Sequence, residues 1–437
     1  MNIHIDLTKQ LGQIKRMNAT GQAPLNNGLG YKSFDLFYLL SDISVPYVRL
    51  HDVGGLFGGN CYVDIPNIFR NFDADENNPE NYDFAFTDAY ISALVRNGLK
   101  PYYRLGVTIE NNAEIKSYHI DPPKDYEKWA RICEHIIAHY NEGWADGFHY
   151  DIEYWEIWNE PDDGLRISQM WNGTAEDYYR LYDVTSKHLK AKFPNIKVGG
   201  FASCGFYAIS NQLLGKKSIN GNVREQYFVD FFHGFMKYIK ANNSPIDFFS
   251  YHTYSNPKEL LIQANYLDEQ LRAYGYGHIE QHLNEWNPPS RTKRATGTHS
   301  AEVAAIMLGA QNTSLDMLMI YDARLSQGAY NAFFAPSASG VELGHAYYAF
   351  AAFAILQKLG TQVSLKCDTE DVYALCASNG KNHALMISNI SGTGQELHIE
   401  GVDLEGARWY ILDDRRLLSW SAPLSRIENE TVILIEF

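Results

Sequence analysis

The chain has 437 residues, 45% of them hydrophobic, enough to bury more core than one ordinary domain requires. Its formal charge is −15, from 37 basic and 52 acidic side chains, so nucleic acid and anionic membrane surfaces would repel it and a neutral small molecule suits it better. Aromatic residues reach 14%, with 30 Tyr and 8 Trp; most must serve the core, but the surplus suits a cleft with flat stacking faces.

Residues 1–20 contain no continuous apolar stretch, and no later run reaches the roughly 18 apolar residues of a membrane span. The expectation is a soluble, cytoplasmic protein, or a secreted one whose leader has been removed. Ile3-His4-Ile5-Asp6-Leu7 alternates like a short strand. A polar, irregular approach then leads to Asn26-Asn27-Gly28-Leu29-Gly30, a weakly patterned candidate for the first strand of a repeating series. Helical spacing from Phe34 to Asp42 leads into a strand from Val45 to His51 that carries Arg49 and His51 toward its end.

That helix-then-strand unit repeats. The pattern predicts helices near 83–97, 125–141, 175–192, 226–241, 259–274 and 300–312, each followed by a strand: 100–107, 151–159, 196–201, 248–254, 278–286 and 316–322. A long apolar helix spans 344–360. Such alternation over more than 300 residues implies parallel pairing, and eight units close as a (β/α)8 TIM barrel more readily than they fan into an open sheet. After Gly360 short β runs separated by polar turns predict a C-terminal antiparallel β-sandwich. The expected division is 1–14 as an N-terminal strand joining the sandwich, 15–360 as the barrel, and 361–437 as the sandwich.

Within the barrel strands one run stops abruptly. Tyr154 to Trp158 is aromatic and β-branched, and Pro161 cannot extend it, so Asn159 and Glu160 fall at the strand's carboxyl end, the face on which barrels hold ligands. Alone, Glu160 reads more simply as a helix-start carboxylate beside a proline. A second run of the same form, His278 to Pro288, carries Glu285, and by count the two belong to the fourth and seventh strands, which face each other across the barrel mouth. Two carboxylates across a cleft are the minimum for glycoside hydrolysis: one protonates the leaving oxygen, the other attacks the anomeric carbon or activates water.

The five cysteines are widely spaced, form no CxxC pair or Cys/His cluster, and are expected as reduced, buried thiols. No metal and no cofactor is expected, and the absence of GxGxxG and GxxxxGK[ST] turns removes the usual nucleotide sites.

Asn159-Glu160-Pro161 after a strand, with Glu285 on a later one, resembles the clan of barrel glycosidases that includes glycoside hydrolase family 39, the β-xylosidases and α-L-iduronidase. Pro122-Pro123-Lys124-Asp125-Tyr126-Glu127-Lys128-Trp129, followed by Trp155 to Pro161, is similar to the β-xylosidase branch. The resemblance implies a retaining exo-glycoside hydrolase with Glu160 as acid/base and Glu285 as nucleophile. It further implies that Asn159 bonds the sugar 2-hydroxyl, that His252 and Tyr254 stand near the nucleophile, and that Arg49 or His51 matches the family's strand-end pair. The chain departs from the family at the last strand, where Leu318 to Asp322 lacks the usual tryptophan floor; Tyr321 is the candidate substitute and Asp322 a candidate partner for a hydroxyl. The substrate expected is an oligosaccharide or small glycoside of β-xyloside type, the alternatives being an α-L-arabinofuranoside, a β-glucoside or a β-galactoside, transfer in place of hydrolysis, or a non-catalytic carbohydrate-binding barrel. No nucleic-acid or membrane partner is expected, and association into a homo-oligomer is left open.

Overall fold

The computed structural model describes residues 1–25, 34–53, 62–108, 119–164, 168–218, 221–289, 294–326, 330, 333–337 and 340–437. After an opening strand β1 (Asn2–Gln13), eight parallel strands close into a barrel: β2 (Arg16–Gly21), β3 (Tyr47–Leu50), β4 (Lys100–Leu105), β5 (Tyr154–Ile157), β6 (Lys197–Ser203), β7 (Phe248–Thr253), β8 (Glu280–Trp286) and β9 (Met317–Ile320). β9 pairs back onto β2, Thr20 opposite Ile320. The first barrel strand is thus Arg16–Gly21, ahead of the expected Asn26–Gly30 segment, which lies outside the described residues. The alternation from Arg16 to Thr20 is too short and polar to stand out in the sequence; in the fold Met17 and Ala19 are fully buried.

The helices are α1 (Tyr38–Asp42), α2 (Ile65–Ile68), α3 (Ala85–Arg96), α4 (Tyr126–Asn141), α5 (Ala175–Lys192), α6 (Tyr207–Leu214), α7 (Asn222–Asn242), α8 (Pro257–Tyr274), α9 (Gly297–Ala310) and α10 (His345–Leu359). Their starts are written in the sequence. Asp125 accepts from Lys128 N, Thr174 forms a capping box with Asp177, and Asn256 accepts from Glu259 N before Pro257. α1 is shorter than the apolar spacing from Phe34 predicts, and the eight-residue α6 escapes it altogether.

Strand periodicity builds the barrel interior in layers. Tyr47, Tyr102, Tyr154, Phe248, Met317 and Met319 fill the middle, with Tyr102 and Tyr154 stacked at 5.2 Å. Two residues further along the same strands come Arg49, Arg104, Glu156 and Ser250, all buried polar groups at the ligand-side end. The aromatic plug therefore lies directly beneath the charged mouth.

Beyond the barrel, a hairpin β10 (Phe334–Ser337) and β11 (Gly340–Leu343) precedes α10. The remaining strands are β12 (Thr361–Cys367), β13 (Val372–Ser378), β14 (His383–Asn389), β15 (Gln395–Glu396), β16 (His398–Glu400), β17 (Arg408–Leu412), β18 (Ser419–Ser421), β19 (Arg426–Ile427) and β20 (Thr431–Glu436). They form an eight-stranded sheet in the order β16-β1-β12-β13-β14-β20-β17-β18 and a two-stranded sheet β15-β19. β1 runs antiparallel to β12 and parallel to β16. Alternation sorts the large sheet into two apolar faces. Ile3, Ile5, Leu385, Ile387, Ile433 and Ile435 bury with Ile427 of the small sheet, while Met386, Val432 and Leu434 join the barrel's core beneath α9 and α10. Of the cysteines, Cys133, Cys204 and Cys376 are buried free thiols as expected; Cys367, at the end of β12, is only half-buried, and Cys61 lies outside the described residues. No described helix is long and apolar enough to cross a membrane.

Candidate active site

β5 ends at Ile157, and the next three residues turn sharply: Trp158 has φ +74° and Glu160 φ +46°. Asp52 after β3 and Ala202 in β6 also adopt left-handed φ, of +53° each, so strained non-glycine backbone gathers at the ligand-side rim. The turn is held from both sides: Trp158 N donates to Leu105 O and Glu160 N to Ala202 O, while buried Asp162 accepts from Ser203 Oγ at 2.7 Å and Cys204 N at 3.1 Å. Pro161 interrupts the strand where expected, and β6 then fixes where Glu160 points.

Glu285 reaches the same space from β8. The pairing of β7 with β8 shifts register between Tyr251 and His252, so that His252 lies opposite Glu285. This irregularity turns two consecutive residues toward the barrel axis, Asn284 to Glu156 and Glu285 to Arg49, where regular alternation would turn one of them away.

Arg49, 1% exposed, ties the cluster together: Nε donates to Glu156 Oε2 at 2.8 Å, Nη1 to Glu285 Oε2 at 3.3 Å and Nη2 to Asn159 Oδ1 at 2.6 Å. Glu156, fully buried, accepts also from Ser250 Oγ at 2.6 Å and Asn284 Nδ2 at 2.5 Å. A buried guanidinium demands such partners, because an unpaired charge there would cost several kcal/mol. Tyr254 Oη donates to Glu285 Oε1 at 2.5 Å. His252 Nδ1 lies 2.8 Å from Glu160 Oε1 and 3.8 Å from Glu285 Oε2.

The two carboxyls thus sit in different surroundings. Glu160 faces one imidazole; burial, with Asp163 nearby, pushes its carboxyl up to about 7. Burial also raises Glu285, but His252, Arg49 and the Tyr254 hydroxyl oppose it by favouring the anion. Burial lowers His252 to about 4, so its ring is neutral near pH 7. Burial, with Arg49 and Arg104 nearby, holds His51 well below its ordinary value.

The sequence-predicted residues divide by position. Glu160, Glu285, Asn159, His252, Tyr254 and Arg49 form one connected cluster. His51 stands beside it, Nε2 3.4 Å from Asp52 Oδ1. Tyr321 shares that aspartate, donating to Asp52 Oδ2 at 2.5 Å, and its ring lies 6.5 Å from Tyr254 and 5.4 Å from Tyr330, an aromatic wall in place of a tryptophan. Asp322 and Arg49 both meet protein partners. Asp322 reads in the sequence as a partner for a ligand hydroxyl, but Oδ1 accepts from Arg324 N, and Oδ2 from Arg324 Nε and Nη2 at 3.0 and 2.7 Å. Arg49, expected near the substrate, uses three of its five N–H groups on Glu156, Glu285 and Asn159.

Sequence reasoning missed Glu156, Asn284, Asp52, Asp162 and Arg324. Glu156 had a readable signal, an acid two residues after inward Tyr154 in an apolar strand, which requires a buried cation. Nothing local marks the others.

Two donor groups among the described residues come close enough for an ion, each with atoms within 4.8 Å of one another: Glu160, His252 and Glu285; and Glu160, Asp163 and Cys204. Sequence spacing suggests neither. To bind an ion the first would have to release Arg49 and Tyr254 from Glu285. The second would have to release Arg224 from Asp163 and deprotonate a Cys204 thiol that burial pushes well up.

The family model for glycosyl hydrolases family 39 matches residues 8–286, a span that contains both glutamates. A β-xylosidase of Geobacillus stearothermophilus is 23% identical over 296 residues, 61% of this chain and 52% of the relative's length. A β-xylosidase of Caldicellulosiruptor saccharolyticus is 25% identical over 300 residues, 65% of this chain and 52% of its own. The chain therefore spans about half the length of the curated relatives it matches. Among solved structures, a glucosidase from Croceicoccus marinus superposes with a TM-score of 0.75 at 18% identity, covering 100% of this chain and 98% of that one. A monomeric β-xylosidase from Caulobacter crescentus gives 0.66 at 15% identity, with 100% and 99% coverage. At those identities the superpositions speak to the fold.

Proposed function

The chain belongs to family 39 of the glycosyl hydrolases, and from that premise we propose that it is a retaining exo-glycosidase in which Glu160 is the acid/base and Glu285 the nucleophile. One observation carries the reading: two glutamates whose nearest oxygens lie within 4.8 Å, one raised to about 7 against a neutral imidazole, the other held by a guanidinium and a phenol. That spacing favours retention, in which the carboxyls stand about 5–5.5 Å apart, over inversion at about 6.5–9.5 Å.

In the first half-reaction the Glu160 proton passes to the glycosidic oxygen, the C1–O bond breaks with its electrons leaving on the alcohol, and a Glu285 oxygen forms an ester at C1. In the second, ionised Glu160 takes a proton from water, whose oxygen attacks C1 and expels the Glu285 carboxylate. Arg49 and Tyr254 favour the anion that attacks. By fixing Asn159 Oδ1, Arg49 leaves the Asn159 amide nitrogen to donate to a sugar hydroxyl.

The test is paired. Glu160→Ala is expected to slow poor leaving groups far more than activated aryl glycosides, with azide restoring turnover as a glycosyl azide of retained configuration. Glu285→Ala is expected to abolish both activities, with azide giving the opposite anomer. Substantial azide-free activity in Glu285→Ala would overturn the roles.

For the sugar we propose a terminal β-xyloside, supported by the two relatives named β-xylosidase. Against aryl β-xyloside, α-L-arabinofuranoside, β-glucoside and β-galactoside, the xyloside should show the highest kcat/KM. A higher value for another sugar would discard the xyloside while leaving the mechanism standing.

A further inference from the structure

Just past Glu285 on the same chain segment, the Asn287 side chain is fully buried and hydrogen-bonded at both ends. Its Nδ2 lies 2.6 Å from Tyr321 O and 3.2 Å from Tyr330 O, and its Oδ1 lies 2.5 Å from Arg294 Nη1 and 2.9 Å from His299 Nε2. A carbonyl oxygen can only accept and a guanidinium can only donate, so the amide has one orientation: nitrogen toward the tyrosine carbonyls, oxygen toward Arg294. An oxygen in that place obliges His299 to carry a proton on Nε2. Burial, with Arg294 nearby, holds this ring well below its ordinary value, so it is neutral near pH 7 and its Nδ1, which has no hydrogen-bond partner among the described residues, is bare.

The two carbonyls belong to the aromatic wall. The Tyr330 ring lies 5.2 Å from Tyr254, the phenol bonded to Glu285, and 5.4 Å from Tyr321. Tyr321 is held at both ends. Its hydroxyl donates to Asp52 Oδ2 and accepts from Arg324 Nη2 at 3.1 Å, while its backbone is tied to the nucleophile's strand, Tyr321 N donating to Trp286 O at 2.8 Å and Tyr321 O accepting from Asn287. Tyr330 O accepts from Asn287 and from Asp322 N at 3.1 Å. One side chain thus joins both tyrosines to the strand end that carries Glu285, and a ring borne by α9 backs that side chain from behind. Flat rings beside a nucleophile offer the apolar face of a sugar a surface to rest on.

We propose that Asn287, oriented by His299, is a positioning residue that sets the distance and tilt of the Tyr321–Tyr330 wall relative to Glu285, and so fixes how tightly the sugar ring is held for attack. This rests on the reading of Glu285 as the nucleophile. Both N–H groups of the Asn287 amide go to carbonyls, so Asn287 has none left for a ligand and acts only through the tyrosines. Contacts between the wall and the sugar ring are made before bond breaking and persist through it. Their loss weakens ground state and transition state alike, which is read in KM and not in kcat.

The test separates binding from turnover. On the aryl glycoside with the highest native kcat/KM, Asn287→Ala should raise KM about tenfold and the inhibition constant of the matching free monosaccharide by a similar factor, with kcat falling less than about threefold. His299→Leu, which removes a donor from Oδ1, should show the same defect, and His299→Gln, whose amide nitrogen can replace Nε2–H, should stay within about twofold of native values. A fall in kcat as large as the rise in KM, or an unchanged inhibition constant, in a folded Asn287→Ala overturns the proposal, as does a His299→Gln no better than His299→Leu. If Asn287→Ala does not fold, the histidine pair decides. In the full chain labelled with ¹⁵N-histidine, two-bond ¹H–¹⁵N spectra should also show His299, assigned by its loss in His299→Gln, protonated on Nε2 alone; a proton on Nδ1 overturns the proposal without any turnover being read. Unchanged sugar affinity in Asn287→Ala, in an enzyme whose two glutamates behave as proposed, would sink this inference alone, whereas glutamate variants that keep full activity would sink the mechanism.

Discussion

At the scale of single residues, the site works by giving chemically identical groups unlike neighbours. Tyr254 supplies Glu285 with a hydrogen bond that strengthens with negative charge, so Tyr254→Phe should lower kcat/KM about 10–100-fold, roughly 1.4–2.8 kcal/mol, with the loss mainly in kcat for an activated substrate. An unchanged kcat would remove Tyr254 from the mechanism. Burial raises two adjacent carboxyls, Glu160 and Asp162, to about 7, whereas in the unfolded chain such groups titrate near 4. Between those values the folded state binds more protons, so their contribution to stability is full below about pH 4 and is lost as pH rises through 7. Buried His51, His252 and His299 act oppositely, gaining stability as pH rises toward 6.5, so the carboxyl effect must be isolated by comparison. Relative to the parent, Asp162→Asn should therefore gain stability between pH 5 and pH 8, by about 1–3 kcal/mol. A pH-independent difference in unfolding free energy would contradict the assignment.

At the scale of elements, the rim is made by strands that end against one another's backbone. Gly205, just past β6, has φ +109°, and a Cβ there would stand 2.3 Å from His252 O. Both the conformation and the space require glycine. Gly205→Ala should cost about 2–4 kcal/mol by denaturant titration and should depress kcat as well, since the displaced strand carries His252. A shift below about 0.5 kcal/mol would mean that the end of β7 yields freely. β1 joins the C-terminal strands through Ile3 and Ile5, both essentially unexposed, and each Ile→Ala there should cost about 2–5 kcal/mol. Those variants should leave kcat/KM within about twofold while the protein remains folded, because β1 lies in the sheet and not in the barrel.

At the scale of the molecule, α9 serves two masters. Buried on nearly every face, it closes the barrel on one side and meets the sheet on the other, where Ser388 Oγ donates to Ala301 O at 2.7 Å and Asp414 Oδ1 accepts from Gly297 N at 2.6 Å. The commitment of the mouth's donors to protein partners leads to one expectation for the whole protein: turnover should persist in EDTA. Loss of activity restored by a divalent ion would show that one of the two donor clusters is an ion site after all.

What the sequence determined by itself is the periodic part. Alternating helix and strand patterns, capped by Asp125, Thr174 and Asn256, specify a parallel barrel because each element must bury one face, and an abrupt Asn-Glu-Pro ending marks a strand end from local chemistry alone. Glu160 and Glu285 were legible because their strands share that form and a barrel of eight sets the fourth against the seventh. Tertiary structure alone decided whom those side chains meet. Arg49 meets Glu156, Asn159 and Glu285, 107, 110 and 236 residues away, and Asp322 meets Arg324, partners that the strand patterns do not name. The register shift that turns both Asn284 and Glu285 inward has no local signature, since it arises from how β8 must slip to pair with β7 in a closed barrel. Partner choice among buried charges depends on distances set by closure of the whole ring, and no window of sequence contains them.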